Sequence, residues 1–394
     1  RDGTVTGVQT CALPISDSAF ALGSELSGGY DVNGDGRGDI LIGEPGPNMT
    51  PFSAGSAYVY FGRANWRLAP SSYTTLEADV TIAGGTGDFA NGLLGSTTTR
   101  VGDFNGDGIN DIAVGAQTAA YSQGATSVAS RGAVCIFLGR ASLPRTLSPN
   151  QADVTIRNAT TDSFMGRFLA GGGRLLGTDT SEEILVGIGS ASTAGAMAVV
   201  AGREVTSRVT IDVTGTSDAS VFYRRGDATL GNRQFIVAGV GDVNGDGRGD
   251  MAVATGTGQG VVSLLFGNAN GGLDSETRVF GVGLAATDVF GARVASIVGP
   301  WQPRPSLLIP SPTAADLVCA SGGYQGGDPR LYTLPGRASW ASVTSSASEY
   351  TPFITGTSAQ PMTATNWVGD VDGDGYPDLA FGQAAGANSI TILR

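Results

Sequence analysis

The chain has 394 residues, a formal net charge of −12 and 23 basic residues, every one an Arg; it contains neither Lys nor His. That balance argues against nucleic acid as a partner, and the missing His removes the commonest general base and transition-metal ligand. With 62 Gly, only 15% charged residues and much Thr, Ser and Val, strands and turns are favoured over helices, and no apolar run approaches the ~20 residues of a membrane helix, so no membrane insertion is expected.

Residues 5–15, VTGVQTCALPI, resemble an in-frame translation of a short-read sequencing adapter. Residues 1–16 are therefore set aside as an artefact, and 17–394 are read as a single domain truncated at its N-terminus, any secretion signal lying beyond view. From there a repeat dominates. YDVNGDGRGDILIGEP (30–45) returns as GDFNGDGINDIAVGAQ (102–117), GDVNGDGRGDMAVATG (241–256) and GDVDGDGYPDLAFGQA (369–384). Two eroded copies fall between: LLGTDTSEEILVGIGS (175–190) keeps Glu183 where the others have Asp, and VGPWQPRPSLLIPSP (298–312) keeps only the apolar strand. The six copies recur at roughly seventy-residue spacing.

Each unit reads as four short strands bounded by Gly, Pro, Asn or Asp. In the second unit they fall at 93–101, 111–116, 132–138 and 152–157. The fourth strand is expected again as RVTIDV (208–213) and TRVFGV (277–282). Four antiparallel strands repeated radially predict an all-β β-propeller with six blades legible; a linear solenoid is the rival, with shorter coils and atypical caps. Cys135 and Cys319 lie in apolar strand-like runs and read as buried, unpaired thiols.

In DVNGDGRGD, Asp31, Asn33, Asp35 and Asp39 place side-chain oxygens at positions 1, 3, 5 and 9, and the Arg37 carbonyl can add a fifth. Hard oxygen donors without imidazole or thiolate specify Ca²⁺. An EF-hand would need Glu at position 12 and a following helix; here Ile42 stands there, in a strand-like run. The same set recurs as Asp103, Asn105, Asp107, Ile109 and Asp111; as Asp242, Asn244, Asp246, Arg248 and Asp250; and as Asp370, Asp372, Asp374, Tyr376 and Asp378. Two carboxylates about 4 Å apart repel by ~1 kcal/mol in water and ~4 kcal/mol near a protein surface, so such crowding calls for cations, about four per chain. The tripeptide Arg-Gly-Asp occurs at 37–39 and 248–250. Its Asp is the ninth-position donor, so its carboxylate is expected to face the ion, and an adhesion-peptide role is disfavoured.

These residues resemble the FG-GAP repeat, the unit of the integrin α-subunit β-propeller and its bacterial relatives. The FG element stands as Phe290-Gly291, and loosely as FALG (20–23), DFANG (88–92) and SFMG (163–166); the GAP element stands as GEP (43–45) and GAQ (115–117). The resemblance implies a Ca²⁺-stabilised, secreted or surface-exposed interaction domain. It also implies seven blades, hence one beyond the visible start. Units three and five lack the full ligand set, so calcium is not expected there.

Blade topology puts the calcium loops on one face. The 2→3 and 4→1 connections belong to the other, including the long loops 43–56, 116–132 and 214–227. Scaffolded loops concentrate recognition residues, so a protein or glycan partner is expected to meet Phe52, Tyr121, Tyr223 and Arg224 there. The alternative is the propeller of a secreted polysaccharide lyase or phospholipase-like enzyme. No catalytic cluster outside the acidic loops supports it, and a binding role is preferred over an enzyme.

Overall fold

The computed structural model describes residues 25–46, 54–62, 75–123, 126–128, 130–158, 164–176, 180–189, 195–213, 221–225, 235–255, 261–270, 272–274, 277–280, 290–297, 316–321, 330–334, 352–355, 362–369, 378–383 and 389–393. Among them there is no α-helix, and no helix long and apolar enough to cross a membrane. The first sheet is built from β1 (Glu25–Tyr30), β2 (Asp39–Glu44), β3 (Ser56–Tyr60) and β4 (Val80–Ala83). The second unit runs β5 (Leu94–Gly102), β6 (Asp111–Ala116), a side hairpin of β7 (Tyr121–Gln123) and β8 (Thr126–Val128), β9 (Ala133–Phe137), the short β10 (Thr146–Leu147) and β11 (Val154–Arg157). The third runs β12 (Phe168–Gly173), β13 (Glu183–Ile188), β14 (Ala196–Val200), β15 (Val209–Asp212) and β16 (Val221–Arg225). The fourth comprises β17 (Phe235–Gly241), β18 (Asp250–Thr255), β19 (Val261–Phe266) and β20 (Thr277–Phe280). The fifth has β21 (Phe290–Ile297), β22 (Asp316–Ser321), β23 (Arg330–Leu334) and β24 (Pro352–Thr355). The last has β25 (Met362–Gly369), β26 (Asp378–Gln383) and β27 (Ser389–Leu393).

Within each unit, strands pair antiparallel in chain order, the meander of a β-propeller blade. First strands of successive blades lie side by side, from β1 through β5, β12, β17 and β21 to β25. One expectation is corrected. RVTIDV is not the fourth strand of the third blade: β15 leaves that blade and pairs in parallel with β11 of the second, Val209 beside Val154 and Ile211 beside Ile156. The third blade's outer strand is β16, antiparallel to β14. The short β10 does the same one blade earlier, pairing in parallel with β4. In both cases the connection after a third strand reaches back and covers the neighbour's outer edge, where unpaired backbone groups would otherwise face solvent.

Alternation assigns each side chain to one of two interfaces. In β9, Ala133, Cys135 and Phe137 enter the core shared with the first blade, while Val134 and Ile136 enter the core shared with the third. In β14, Ala198 and Val200 face the second blade, and Met197 and Val199 face the fourth. A strand buried on both faces needs no polar side, which is why AVCIF is apolar throughout. Cys135 is buried and unpaired, as expected, and burial pushes its thiol up to about 12.

Blades meet backbone to backbone where glycine stands in a strand. A Cβ on Gly239 would lie 2.4 Å from the Gly171 carbonyl of the preceding blade, and one on Gly115 would lie 1.9 Å from the Gly166 carbonyl. Gly115→Ala is therefore expected to lower the thermal midpoint, costing about 1–3 kcal/mol. Gly85→Ala, with no atom within 4 Å of the new Cβ, should be neutral or slightly stabilising in the same melting experiment.

Candidate metal centre

The acidic loops join the first and second strands of their blades. Each follows a bulge in the first strand, between Gly28 and Tyr30, Arg100 and Gly102, or Gly239 and Gly241. The ninth-position Asp then stands opposite the strand's last residue: Tyr30 with Asp39, Gly102 with Asp111, Gly241 with Asp250. The chain must turn sharply in between. Gly34 and Gly36 do so at φ of 74° and 83°, a region other L-residues avoid.

The three described loops share one hydrogen-bonded frame. In the first, Asp31 accepts from the Asp35 N–H at 2.9 Å and the Gly36 N–H at 2.6 Å, and Asp35 accepts from the Arg37 N–H at 2.9 Å. Asp103 accepts from Asp107 and Gly108 at 2.9 and 2.8 Å, and Asp107 from Ile109 at 2.9 Å. Asp242 accepts from Asp246 and Gly247 at 3.0 and 2.7 Å, and Asp246 from Arg248 at 2.9 Å. Asn33, Asn105 and Asn244 each accept from the N–H of the fifth-position Asp. Arg37 and Arg248 lie beside Asp35 and Asp246 as exposed pairs at 3.7 and 3.9 Å, a geometry worth little in water.

The ninth carboxylate is different. Asp39, Asp111 and Asp250 are 1%, 0% and 0% exposed. One oxygen of each accepts the position-2 N–H, from Val32, Phe104 or Val243, at 2.8 Å in every case. The other accepts the N–H of the glycine just after the third strand: Gly62 at 2.7 Å, Gly139 at 2.7 Å, Gly267 at 3.1 Å. In the third unit, where Leu175 and Gly177 stand at positions 1 and 3, buried Glu183 accepts from Leu176 at 3.2 Å and Leu175 at 2.6 Å. This carboxylate thus latches the loop whether or not its companions are present. Each oxygen retains a second lone pair. Burial pushes Asp39 up to about 6 and Asp111 and Asp250 up to about 7; the two backbone bonds pull the other way, and the neighbouring loop carboxylates push further up. Because Asp39 and Asp250 are enclosed, neither Arg-Gly-Asp tripeptide presents its carboxylate.

The donor set is all oxygen and its first, third and fifth positions are half-buried or exposed, so its chemistry suits a hard cation. Among the described residues, however, no three carboxylates converge on one metal-sized point; the loop amides occupy them instead. Asp370, Asp372, Asp374 and Tyr376 lie outside the described residues. Asp378 opens β26 opposite Gly369, after a bulge between Trp367 and Gly369 that repeats the arrangement of the other blades.

Two features escaped the sequence reading. Successive loops are stitched together: the Asp31 and Val32 carbonyls accept from Asn110 at 3.3 Å and Arg140 at 3.0 Å of the next blade. Asp103 and Phe104 repeat this with Glu182 and Arg203, both at 2.8 Å. The glycine after each third strand, at 62, 139, 202 and 267, was the legible signal. A Cβ there would lie 2.2–2.5 Å from the carbonyl of the residue preceding the ninth position.

Of the expected partner-face residues, Phe52 lies outside the described residues and Tyr121 sits in the side hairpin β7. Tyr223 and Arg224 were expected in a 4→1 loop. They belong instead to β16, paired with Ala198 and Met197.

The FG-GAP repeat family model matches residues 22–60 and 97–129, which hold the first two acidic loops. The chain carries FG-GAP repeats at these residues. Its repeats are 35% identical to mouse (Mus musculus) integrin alpha-IIb over 141 residues, 36% of this chain and 12% of that protein. They are 39% identical to chicken (Gallus gallus) integrin alpha-8 over 114 residues, 28% of this chain and 9% of that protein. A rat (Rattus norvegicus) phosphatidylinositol-glycan-specific phospholipase D is 30% identical over 143 residues, 36% of this chain and 15% of that protein. The FG-GAP chain thus spans between 9% and 15% of these relatives.

The latch predicts a calcium-independent defect. Asp111→Ala should destabilise the FG-GAP chain in urea titrations with calcium or with EGTA, by about 1–3 kcal/mol for each buried N–H left unpaired. Asp107→Asn, at an exposed position, should leave the EGTA titration unchanged.

Proposed function

We propose that this chain is a Ca²⁺-binding propeller serving as a secreted or cell-surface recognition module for a protein or glycan. The observation that carries this is the threefold recurrence, on one hydrogen-bonded frame, of an all-oxygen donor set. Ions would be held by Asp31, Asn33, Asp35, Asp39 and the Arg37 carbonyl; by Asp103, Asn105, Asp107, Asp111 and the Ile109 carbonyl; and by Asp242, Asn244, Asp246, Asp250 and the Arg248 carbonyl. Asp370, Asp372, Asp374, Asp378 and the Tyr376 carbonyl would make the fourth site. What the cation supplies is neutralisation of crowded carboxylates in a chain of net charge −12. Extracellular modules bind calcium with Kd of ~10⁻⁴–10⁻³ M, so millimolar calcium adds roughly 1 kcal/mol of stability per site by mass action. Cytosolic calcium would leave such sites nearly empty, which favours the extracellular setting.

The integrin relatives favour adhesion-type recognition. The phospholipase D relative favours a second reading, a propeller attached to a hydrolase. With no His anywhere in the chain, catalysis within these residues would fall to carboxylate, Tyr, Ser or Arg groups. The partner would meet the face opposite the acidic loops, through Phe52 and Tyr121, with Tyr223 and Arg224 contributing from the edge strand of the third blade.

Calorimetric melting in millimolar calcium against EGTA tests the metal assignment. The midpoint should rise with calcium, and Asp35→Asn, Asp107→Asn and Asp246→Asn should each remove a share of that rise. Identical midpoints with chelator and with calcium would overturn it.

A further inference from the structure

The parallel strand β15 creates a site that neither blade holds alone. Where it lies along β11, Thr155 and Thr210 become cross-strand neighbours on one face. Beside them a cleft of about 210 Å³ opens, lined also by Asn150, Arg157, Arg208 and Phe89. Among the described residues no carboxylate lines it, although the chain as a whole carries a net charge of −12. Its two arginines differ in kind. Arg157 is fixed: its guanidinium pairs with Asp88 at 3.3 Å, donates to the Ala120 carbonyl at 2.9 Å and lies 5.1 Å over the Phe89 ring. Asp88 is held in turn by the Ser122 hydroxyl at 2.5 Å. Arg208 is exposed and forms no ion pair or hydrogen bond with other described residues.

We propose that this cleft binds one carboxylated sugar unit of an acidic glycan, with Arg208 taking the carboxylate and Asn150, Thr155 and Thr210 the ring hydroxyls. Clefts for drug-sized molecules run to about 300–1,000 Å³, so this one suits a single ring. A lone carboxylate would need only the guanidinium. The added amide and two hydroxyls match a polyol, and half-buried Val209 adds an apolar contact of the kind small-ligand sites use. The site rests on the recognition reading only in taking a glycan as the partner; it requires no calcium.

The test is a ligand-observed NMR titration of the full chain with glucuronic acid, glucose and a blocked aspartate amide, each with calcium and with EGTA. Glucuronic acid should bind saturably in both media, and glucose and the blocked aspartate far more weakly. Arg208→Gln should weaken glucuronic acid about tenfold with an unchanged melting midpoint, because the side chain is exposed. Thr210→Val should weaken it by a smaller factor. Absence of saturation, wild-type affinity in Arg208→Gln, or equal binding of the blocked aspartate would overturn the proposal, the last by making the site a peptide-carboxylate pocket. Failure of calcium to raise the melting midpoint would sink the metal assignment and leave this cleft standing.

Discussion

One buried carboxylate in each of the first four blades holds the acidic end of the described fold together. Where the first strand bulges and the chain swings out into a loop, two backbone N–H groups are enclosed without a strand partner. The N–H at position 2 of the loop and the N–H of the glycine just after the third strand both find the ninth-position carboxylate. Leaving either unpaired would cost about 1–3 kcal/mol. Asp39, Asp111 and Asp250 meet this demand in the same way. Glu183, with one more methylene, reaches the corresponding N–H of Leu176 and that of Leu175 as well. The third unit has Leu175 and Gly177 at positions 1 and 3 yet keeps a carboxylate at position 9, which separates two roles within a single motif. Positions 1, 3 and 5 accept N–H groups of the loop itself at half-buried or exposed sites, while position 9 is buried and tied to the strands.

The second constraint is close approach. A blade buried on both faces must pack against two neighbours at once. Glycine lets backbones touch where side chains would hold them apart, as at Gly115 and Gly239. The glycine at the end of each third strand does the same inside a blade, admitting the loop carbonyl just before the latch. Packing of this kind is one use the chain makes of its 62 Gly residues, turns at positive φ being another. It also explains why loops are stitched in series, the carbonyls of one accepting from the next. Order in one acidic loop is thereby carried to the blade beside it, and the straps β10 and β15 tie the same neighbours together at their outer edges.

Much of this was legible before any coordinates. The recurring DxNxDGxxD turns marked the repeat because such a run of Asp, Asn and Gly has few other physical uses. Apolar β-branched segments at fixed offsets from each turn marked the strands, and the second unit's four strands fall within one or two residues of expectation. Cys135 was legible as buried from its apolar run. Where the reading failed, local chemistry was silent about partners. RVTIDV has strand character on any blade, and nothing in its side chains says whether it pairs antiparallel at home or parallel next door. VFYRR was taken for part of a loop because RVTIDV, just before it, had been assigned as the fourth strand. In the structure its backbone hydrogen bonds to β14 decide the matter.

Short-range chemistry, then, determined the repeat, the strands and the oxygen-rich turns, because each is a property of neighbours along the chain. Tertiary structure alone decided which edge each strand joins and which oxygens remain for a cation once the backbone has taken its share. It also decided that Phe89, Asn150, Thr155, Arg157, Arg208 and Thr210 line one cleft. Those outcomes depend on distances between blades, and such distances are set by how closely glycine-bearing backbones pack rather than by any local run of residues.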